Sequence, residues 1–267
     1  MTKLRIALIG WGAINQRVAA LIAERSPAAE IVAVAVSDRP GARHDVPRGA
    51  GLIRFLGDLD RAQPDLVVEA AGRDAAAAWV PRALACARGV ILASASALVE
   101  DELLATFVRI AEEHESQLVV PAGAVGGIDA LKAAGLGGLE RVHHAVVKPP
   151  RAWFGREAES LVDLRALTGR ETFFEGTARE AARRFPQNAN ATVVTALAGL
   201  GLDGTEVALV ADPSAETNGH EITAEGAFGR MRITLENKPL AGNPKSSELT
   251  ALSILRLIEN AASPFVV

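Results

Sequence analysis

Short apolar segments alternate with longer helical segments over the first 120 residues, and this alternation is the feature that most constrains the fold. The first segment, residues 4–9, is apolar except for Arg5, as expected of a strand buried on both faces. Parallel strands need a crossover connection between them, and a helix is the usual one. The pattern therefore predicts an α/β fold with a doubly wound parallel sheet of the Rossmann type.

The predicted strands of this region are residues 4–9, 31–36, 65–69, 90–93 and 118–120, and the predicted helices are 13–24, 74–87 and 100–115. Beyond Gly127 the strict alternation stops. Strands are predicted at 142–147, 206–210, 220–224 and 230–235, and helices at 189–200 and about 246–262. We therefore expect a first domain over residues 1–126 and a second, α+β domain over 127–245, with the last helix packing back on the first domain.

Charge and composition exclude several classes of protein. The 28 basic and 32 acidic side chains give a formal net charge of −4, and the absence of a basic run argues against a nucleic-acid or anionic-membrane surface. The sequence contains no stretch of 18 apolar residues, so no transmembrane helix is predicted. The single cysteine, Cys86, excludes an internal disulfide and a four-cysteine zinc site. We expect a cytoplasmic protein with no metal site.

The Gly10-Trp11-Gly12 turn lies between the first predicted strand and the first predicted helix. Gly10 permits a tight turn, and Gly12 lets a pyrophosphate approach the backbone, where the first N–H groups of the helix, at Ala13 and Ile14, can bind it. The third glycine of the dinucleotide-binding fingerprint is replaced by Asn15. A tight turn with no ligand is the alternative, but the position in the pattern favours a dinucleotide, so residues 1–126 are predicted to bind it.

Asp38 follows the second predicted strand, 26 positions after Gly12, where a carboxylate can bind the ribose hydroxyls of NAD. The neighbouring Arg39 can instead neutralise the 2′-phosphate of NADP. Both cofactors therefore stay open, as does a plain surface ion pair. The small-residue loop 122–127 is predicted to approach the cofactor, to connect the domains, or both.

Proton transfer near neutral pH needs a group that titrates there, and histidine is the usual choice. Of the five histidines, His143 and His144 are adjacent on a predicted strand, so one faces the core and the other faces outward. His220 lies at a predicted turn-to-strand junction, where its side chain can point into a cleft.

Seven sequence blocks, in this order along the chain, resemble the L-aspartate dehydrogenase family. They are Gly-x-Gly-Ala-Ile at 10–14, Val-Glu-Ala-Ala at 68–71, Pro-Ala-Gly-Ala-Val-Gly-Gly-Ile-Asp-Ala-Leu at 121–131, Lys-Pro-Pro at 148–150, Phe-Pro-Gln-Asn-Ala-Asn at 185–190, Asn-Gly-His-Glu-Ile at 218–222 and Asn-Pro-Lys-Ser-Ser at 243–247. The first block is common to many dehydrogenases, whereas the blocks at 186–190 and 218–222 are specific.

The resemblance implies oxidative deamination of L-aspartate with NAD or NADP, through iminoaspartate to oxaloacetate and ammonia, with a link to pyridine-nucleotide biosynthesis. It also implies that His220 is the catalytic histidine, that Ala124 and Asn190 contact the cofactor, and that the chain forms a homodimer. The substrate is a small dicarboxylate, for which cationic and amide donors are needed. The candidate donors are Lys148, Arg151, Asn188, Asn243 and Lys245.

Each of these donors has a structural alternative. The cationic side chains can be solvated surface charges, and Asn188 and Asn190 can cap a helix. Glu221, or a backbone group, is a candidate for fixing the tautomer of His220.

Three other functions are compatible with part of the sequence. The Glu140-Arg141-Val142-His143-His144 segment followed by Lys148 is similar to the His-His…Lys element of dihydrodipicolinate reductases. In that family the lysine stands one residue nearer and a Pro-Ser-Gly-Thr stretch follows, which this chain lacks. A homoserine dehydrogenase is an alternative of the same standing. A non-catalytic dinucleotide sensor usually carries an output element such as a basic helix-turn-helix, and none is visible.

Overall fold

A computed structural model describes residues 3–37, 45–155 and 157–266, with only the backbone of Pro244 and Lys245. The chain forms two compact units. Unit 1 comprises Met1–Pro121, Leu240–Ser246 and Thr250–Val267, and unit 2 comprises Ala122–Pro239 and Ser247–Leu249.

Unit 1 is built on a six-stranded sheet in the order β3-β2-β1-β4-β5-β6, with every strand pair parallel. Its strands are β1 (Leu4–Ile9), β2 (Ala29–Ala35), β3 (Gly51–Ile53), β4 (Leu66–Glu69), β5 (Gly89–Leu92) and β6 (Gln117–Val119). Its helices are α1 (Ala13–Arg25), α2 (Leu56–Ala62), α3 (Arg73–Cys86), α4 (Asp101–Glu113) and, later in the chain, α10 (Glu248–Ala262), which belongs to unit 1 from Thr250 onward. The sheet confirms the predicted doubly wound Rossmann architecture.

Strand β3 and helix α2, both short elements of unit 1, have no counterpart in the sequence prediction. Strand β3 has three residues and helix α2 has seven. Neither is long enough to display a clear hydrophobic period, and β3 is a strand only because it pairs with β2 at the edge of the sheet.

Helix α10 packs its apolar face into the core of unit 1. Ala251, Ile254, Leu255 and Ile258 are buried at helical spacing against residues of β1 and α1 such as Leu4 and Val18. Each fully buried Ile or Leu contributes about 1.5–3 kcal/mol. The end of the chain therefore completes the core that its beginning starts.

Unit 2 contains a five-stranded mixed sheet in the order β11-β10-β7-β9-β8, in which β7 and β9 are parallel and the other pairs antiparallel. Its strands are β7 (Leu139–Lys148), β8 (Glu171–Thr177), β9 (Glu206–Ala211), β10 (Asn218–Gly226) and β11 (Gly229–Asn237). Its helices are α5 (Ile128–Leu136), α6 (Ala158–Leu161), α7 (Ala178–Arg184), α8 (Ala189–Ala198) and α9 (Gly201–Gly204). A separate two-stranded sheet is formed by β12 (Pro239–Leu240) and β13 (Asn243–Ser247), most of whose residues belong to unit 1.

Helices α5 and α8 cover one face of this sheet. Leu131 of α5, Val142 of β7 and Ala198 of α8 share a buried cluster with Ala224 of β10. This mixture of strands and helices confirms the predicted α+β character, although α5, α6, β8, α7 and α9 were not predicted, nor were the strands β12 and β13. No helix in the described part of the chain is both long and apolar enough to cross a lipid bilayer.

Candidate active site

A cleft of about 600 Å³ opens at the carboxyl ends of β1, β2 and β4 in unit 1. Its walls are the Gly10–Gly12 turn, the end of β2 through Ser37, and the loop and helix start after β4, together with Trp79. This volume and this edge of a parallel sheet are typical of a site for a small molecule or cofactor. The predicted ribose-binding pair, Asp38 and Arg39, lies outside the described residues.

The two glycines of the turn have different roles. Gly10 has φ +88°, and a Cβ there would lie 2.6 Å from the Cβ of Ala71. Any side chain would therefore strain the backbone and collide with the neighbouring loop. A Cβ at Gly12 would have no atom within 4 Å, so this position is open toward the cleft.

Gly12 is also the N-cap of α1, and no side chain caps this helix among the described residues. Its first turn, which includes Ala13 and Ile14, contains no acidic residue. The first backbone N–H groups of a helix carry partial positive charge and need acceptors. An open, uncapped helix start fits the pyrophosphate of a dinucleotide.

Asn15, which stands where the fingerprint has its third glycine, stabilises the turn through side-chain hydrogen bonds. Its side chain is fully buried, and Nδ2 donates to the carbonyl oxygens of Ile9 (2.9 Å) and Gly10 (2.8 Å). A glycine at this position normally serves close helix–strand packing. Here two hydrogen bonds connect α1 to the end of β1, so the departure from the fingerprint keeps the turn intact.

Glu69 shapes the opposite wall of the cleft, and its role was missed from the sequence. It is fully buried at the end of β4, and its carboxylate accepts hydrogen bonds from the backbone N–H groups of Ala71 (2.7 Å) and Gly72 (3.0 Å) and from Ser94 Oγ (3.1 Å). Burial raises the pKa of Glu69, and these hydrogen bonds oppose the rise. The sequence did contain a signal for this role, since Glu69 is a carboxylate at the end of an otherwise apolar strand.

In unit 2, two histidines on neighbouring strands form a buried pair. β10 and β7 are antiparallel, with His220 opposite Val146 and Ile222 opposite His144, so both rings lie on one face of the sheet. His220 Nδ1 and His144 Nε2 are 3.0 Å apart, and the two residues are 5% and 0% exposed. As expected, one of the adjacent histidines points inward: His144 is buried, while His143 is partly exposed.

Both rings are held neutral by their surroundings. Burial lowers the pKa of His220 to about 3, and the nearby Lys148 ammonium contributes to the shift. Burial also lowers the pKa of His144 well below its usual value, with a smaller contribution from His220. The pair therefore carries no charge near neutral pH.

Glu221 does not fix the tautomer of His220. Adjacent residues of a strand point to opposite faces, and the Glu221 carboxylate forms two hydrogen bonds with the guanidinium of Arg170 (2.7 and 2.8 Å). Sequence reasoning missed the pairing of His144 with His220 because the two are 76 positions apart and become neighbours only through strand pairing.

Lys148 and Asn188 form a second polar pair in unit 2. Lys148 Nζ donates to Asn188 Oδ1 (2.5 Å) and lies 5.3 Å from the ring centroid of the buried Trp153. Asn188 Nδ2 is buried and has no hydrogen-bond partner among the described residues. Although Asn188 is the N-cap of α8, its side chain makes no capping bond, so the alternative capping role is wrong for Asn188. An unpaired amide donor beside an ammonium fits a carboxylate.

The other predicted residues are distributed over both units. Ala124 belongs to unit 2, where its carbonyl oxygen accepts from Asn237 Nδ2 (2.7 Å), and Asn190 is exposed in the first turn of α8. Arg151 Nη2 donates to the carbonyl oxygen of Glu216 at 3.5 Å.

Asn243 belongs to unit 1 and donates to Ser246 Oγ (3.0 Å), while the side chain of Lys245 is not described. The structure thus brings Lys148 and Asn188 together and places the charge of Lys148 close enough to affect His220. In the described part of the chain, no group of three or more His, Cys, Asp or Glu side chains could hold a metal ion.

Comparison with known proteins identifies both halves of the chain. Residues 129–261 match the family model for the C-terminal domain of aspartate dehydrogenase, and residues 10–121 match that for the NAD-binding domain of homoserine dehydrogenase. The L-aspartate dehydrogenase of Brucella anthropi is 49% identical over 98% of both chains. That of Cupriavidus taiwanensis is 42% identical over 97% of this chain and 98% of its own.

Solved structures agree on the fold. The aspartate dehydrogenase of Thermotoga maritima has a TM-score of 0.79 at 24% identity, with 99% of both chains covered. A dihydrodipicolinate reductase from Paenisporosarcina has a TM-score of 0.58 at 16% identity, covering 98% of this chain and 95% of its own. At these identities, the likeness to both structures shows a shared fold only. On the identity and coverage of its relatives, the chain belongs to the L-aspartate dehydrogenase family.

Proposed function

We propose that this chain oxidises L-aspartate with NAD or NADP, forming iminoaspartate and then oxaloacetate and ammonia. The observation that carries the proposal is an arrangement of three side chains in unit 2. His220 is buried and neutral, and the ammonium of Lys148 is close enough to lower its pKa. Lys148 also donates to the amide oxygen of Asn188, whose amide nitrogen has no hydrogen-bond partner among the described residues. The choice of L-aspartate as substrate is supported by relatives named L-aspartate dehydrogenases, which are 40–49% identical over nearly the whole chain.

The cleft of unit 1 supports the cofactor part of the proposal. The turn at Gly10 and Gly12 and the N–H groups of Ala13 and Ile14 hold the pyrophosphate, and Asp38 or Arg39 reads the adenosine ribose. Ala124 and Asn190 are proposed as the cofactor contacts of unit 2. When bound, NAD or NADP supplies the acceptor for the hydride that leaves Cα of the substrate.

His220 is proposed to move the protons. The substrate ammonium must lose a proton before its Cα can give up hydride, and the water that attacks the imine must lose another. Because His220 Nδ1 is engaged by His144, Nε2 is the nitrogen left to accept these protons, one in each step, and the first proton passes to solvent before the second is taken.

Lys148 and Asn188 are proposed to hold one substrate carboxylate, with Asn243 and Lys245 as candidates for the other. This assignment links binding to proton transfer. The ammonium of Lys148 lowers the pKa of His220, so a carboxylate paired with Lys148 offsets that effect and makes His220 a stronger base. The ring is then most basic when the substrate is in place.

We further propose a division of labour in which residues 1–126, with the last helix, bind the dinucleotide and residues 127–245 provide catalysis and dimerisation. The two compact units support this division. A homodimer, a cytoplasmic location and a role in NAD biosynthesis complete the proposal. The single cysteine supports a reducing compartment, and iminoaspartate connects the reaction to pyridine-nucleotide synthesis.

The test is the appearance of reduced nicotinamide, followed by its absorbance, when the purified chain is mixed with L-aspartate and either NAD or NADP. We expect turnover with L-aspartate and none with L-homoserine or L-glutamate, and the two cofactors will be ranked by kcat/KM. Turnover with homoserine would favour the homoserine dehydrogenase alternative. Tight NADH binding without turnover in either direction would favour a dinucleotide sensor.

A further inference from the structure

The buried histidine pair contains one residue, His144, to which the proposed reaction assigns no role. His144 is fully buried, lies on β7, and directs Nε2 at Nδ1 of His220 over 3.0 Å. The rings are 5.2 Å apart at their centroids and inclined by 61°, an edge-on arrangement that aims one ring nitrogen at the other. Packing alone does not require a polar ring here, since an apolar side chain fills such a position at lower desolvation cost.

A neutral histidine carries one ring hydrogen, so the hydrogen bond between the two rings has two possible directions. If His144 Nε2 donates, then His220 carries its hydrogen on Nε2 and cannot accept another proton there. If His220 Nδ1 donates, then His220 Nε2 has a free lone pair. Only the second direction allows His220 to act as a base through Nε2.

We propose that His144 is the positioning residue of the reaction: it accepts the Nδ1 hydrogen of His220, and thereby fixes the ring orientation and the tautomer in which Nε2 is free to take a proton. This inference rests on the function proposed above for His220. When His220 becomes an imidazolium, its Nδ1–H bond to His144 becomes charge-assisted and stronger, so His144 also stabilises the protonated ring. A carboxylate performs the same two tasks in the Ser-His-Asp triad.

This tautomer has a cost that is visible in the structure. His144 then carries its own hydrogen on Nδ1, which is buried and has no hydrogen-bond partner among the described residues. A buried unpaired polar group is rare in folded proteins, and one that persists calls for an explanation such as catalysis. The opposite tautomer would leave only a lone pair unpaired, so the two tautomers give opposite and observable proton positions.

The decisive measurement is a long-range ¹H–¹⁵N correlation spectrum of the histidine rings in the wild-type chain at neutral pH, which distinguishes Nδ1–H from Nε2–H tautomers. We expect His220 to be the Nδ1–H tautomer and His144 likewise. A His220 ring protonated on Nε2 would overturn the inference. This readout does not depend on turnover, so it is independent of whether the chain oxidises aspartate.

Three variants test the consequence for activity. His144→Leu removes the acceptor, and we expect kcat with L-aspartate to fall about 10–100-fold while KM and the Kd for NADH change little. His144→Gln places an amide oxygen near the former Nε2 and should recover most of the loss. His143→Gln, one residue along the same strand but on the other face, is the matched control and should keep wild-type kcat.

Equal activity of His144→Leu and the wild type would contradict the positioning role, and so would a loss confined to KM. If His144→Leu does not fold, the wild-type spectrum and the His144→Gln variant still decide. If the wild type itself shows no turnover with aspartate, the proposed function fails while the tautomer of His220 is still measured. The two ideas therefore fail separately.

Discussion

At the scale of single residues, the two glycines of the β1–α1 turn show how one motif combines a folding requirement with a binding requirement. Gly10 has a positive φ and faces Ala71 at close range, whereas Gly12 has φ −84° and open space. The first position is demanded by the fold and the second only by what approaches it. The two glycines of the motif therefore serve different requirements, which can be tested by separate substitutions.

Gly10→Ala is expected to destabilise unit 1 by about 1–3 kcal/mol and to weaken NADH binding, because the new Cβ meets Ala71 at a strained φ. Gly12→Ala is the matched variant. It should cost less stability than Gly10→Ala, since only the N-cap preference for glycine is lost, while it weakens NADH binding because the methyl group occupies the space of the pyrophosphate. Thermal unfolding and NADH titration of both variants test this, and equal stability losses would contradict the distinction.

Lys148 supports a second prediction at this scale. Lys148→Met keeps the length of the side chain but removes the ammonium, so the KM for L-aspartate should rise about 10–100-fold, as expected for loss of a charged hydrogen bond. The Kd for NADH should be unchanged. Steady-state kinetics give the first quantity and titration the second, with the exposed Lys132→Met as control. An unchanged KM would remove Lys148 from the substrate site.

At the scale of elements, α10 shows why the end of the chain matters to a core made by its beginning. Its buried residues follow the helical period and contact β1 and α1. Ser26 Oγ also donates to Glu259 Oε1 (2.9 Å), which connects the end of α1 to the same helix. Truncation of this helix would therefore expose the face of the sheet that it covers.

Ile254→Ala is expected to lower the free energy of unfolding by about 2–5 kcal/mol, because it leaves a cavity in a fully buried site. Leu252 lies on the same helix and is 40% exposed, so Leu252→Ala should cost far less. Urea unfolding of both variants provides the comparison. Similar losses for the two variants would show that α10 does not contribute its inner face to the core as described.

At the scale of the whole molecule, the buried histidines make stability depend on pH. The unfolded chain protonates a histidine near pH 6.5, but the folded chain holds the pKa of His220 at about 3 and that of His144 well below its usual value. Between these pH values the unfolded state binds more protons than the folded state. Their contribution to stability is therefore fully present above pH 6.5 and is lost progressively as the pH falls toward 3.

With its folded pKa at about 3, the His220 ring should cost about 2 kcal/mol of stability between pH 7 and pH 5. His220→Gln removes one ring, so its unfolding free energy should decline by about 2 kcal/mol less than that of the wild type over this interval. Urea titrations at the two pH values measure the difference, in which the effects of groups that do not interact with His220 cancel. Parallel declines would mean that His220 is not held neutral in the folded chain.

The low pKa of His220 also affects the activity profile. A ring with a pKa of about 3 in the free enzyme is already deprotonated at pH 6, so kcat/KM need not fall as the pH decreases from 8 to 6 on its account. A histidine with an ordinary pKa would give an acid limb in that range. The sequence placed His220 at a turn-to-strand junction and gave no indication that its ring is buried.

The sequence by itself determined the architecture of unit 1, because strands buried on both faces and their crossover helices produce hydrophobic patterns that are read locally. It also determined the Gly10–Gly12 turn and, through specific blocks, the family. Short elements such as β3 and α2 escaped because they contain too few residues to show a period. The predicted helix at 74–87 corresponds to α3 within one residue, since its pattern is long.

Only the tertiary structure decided which polar groups meet. His144 and His220, or Lys148 and Asn188, are 76 and 40 positions apart, and no local pattern links them. Their partnership depends on strand pairing, which sets which faces coincide, and on burial, which sets their pKa values. The sequence therefore named His220 as the histidine to test, and the fold supplied the neighbour that can make it a base.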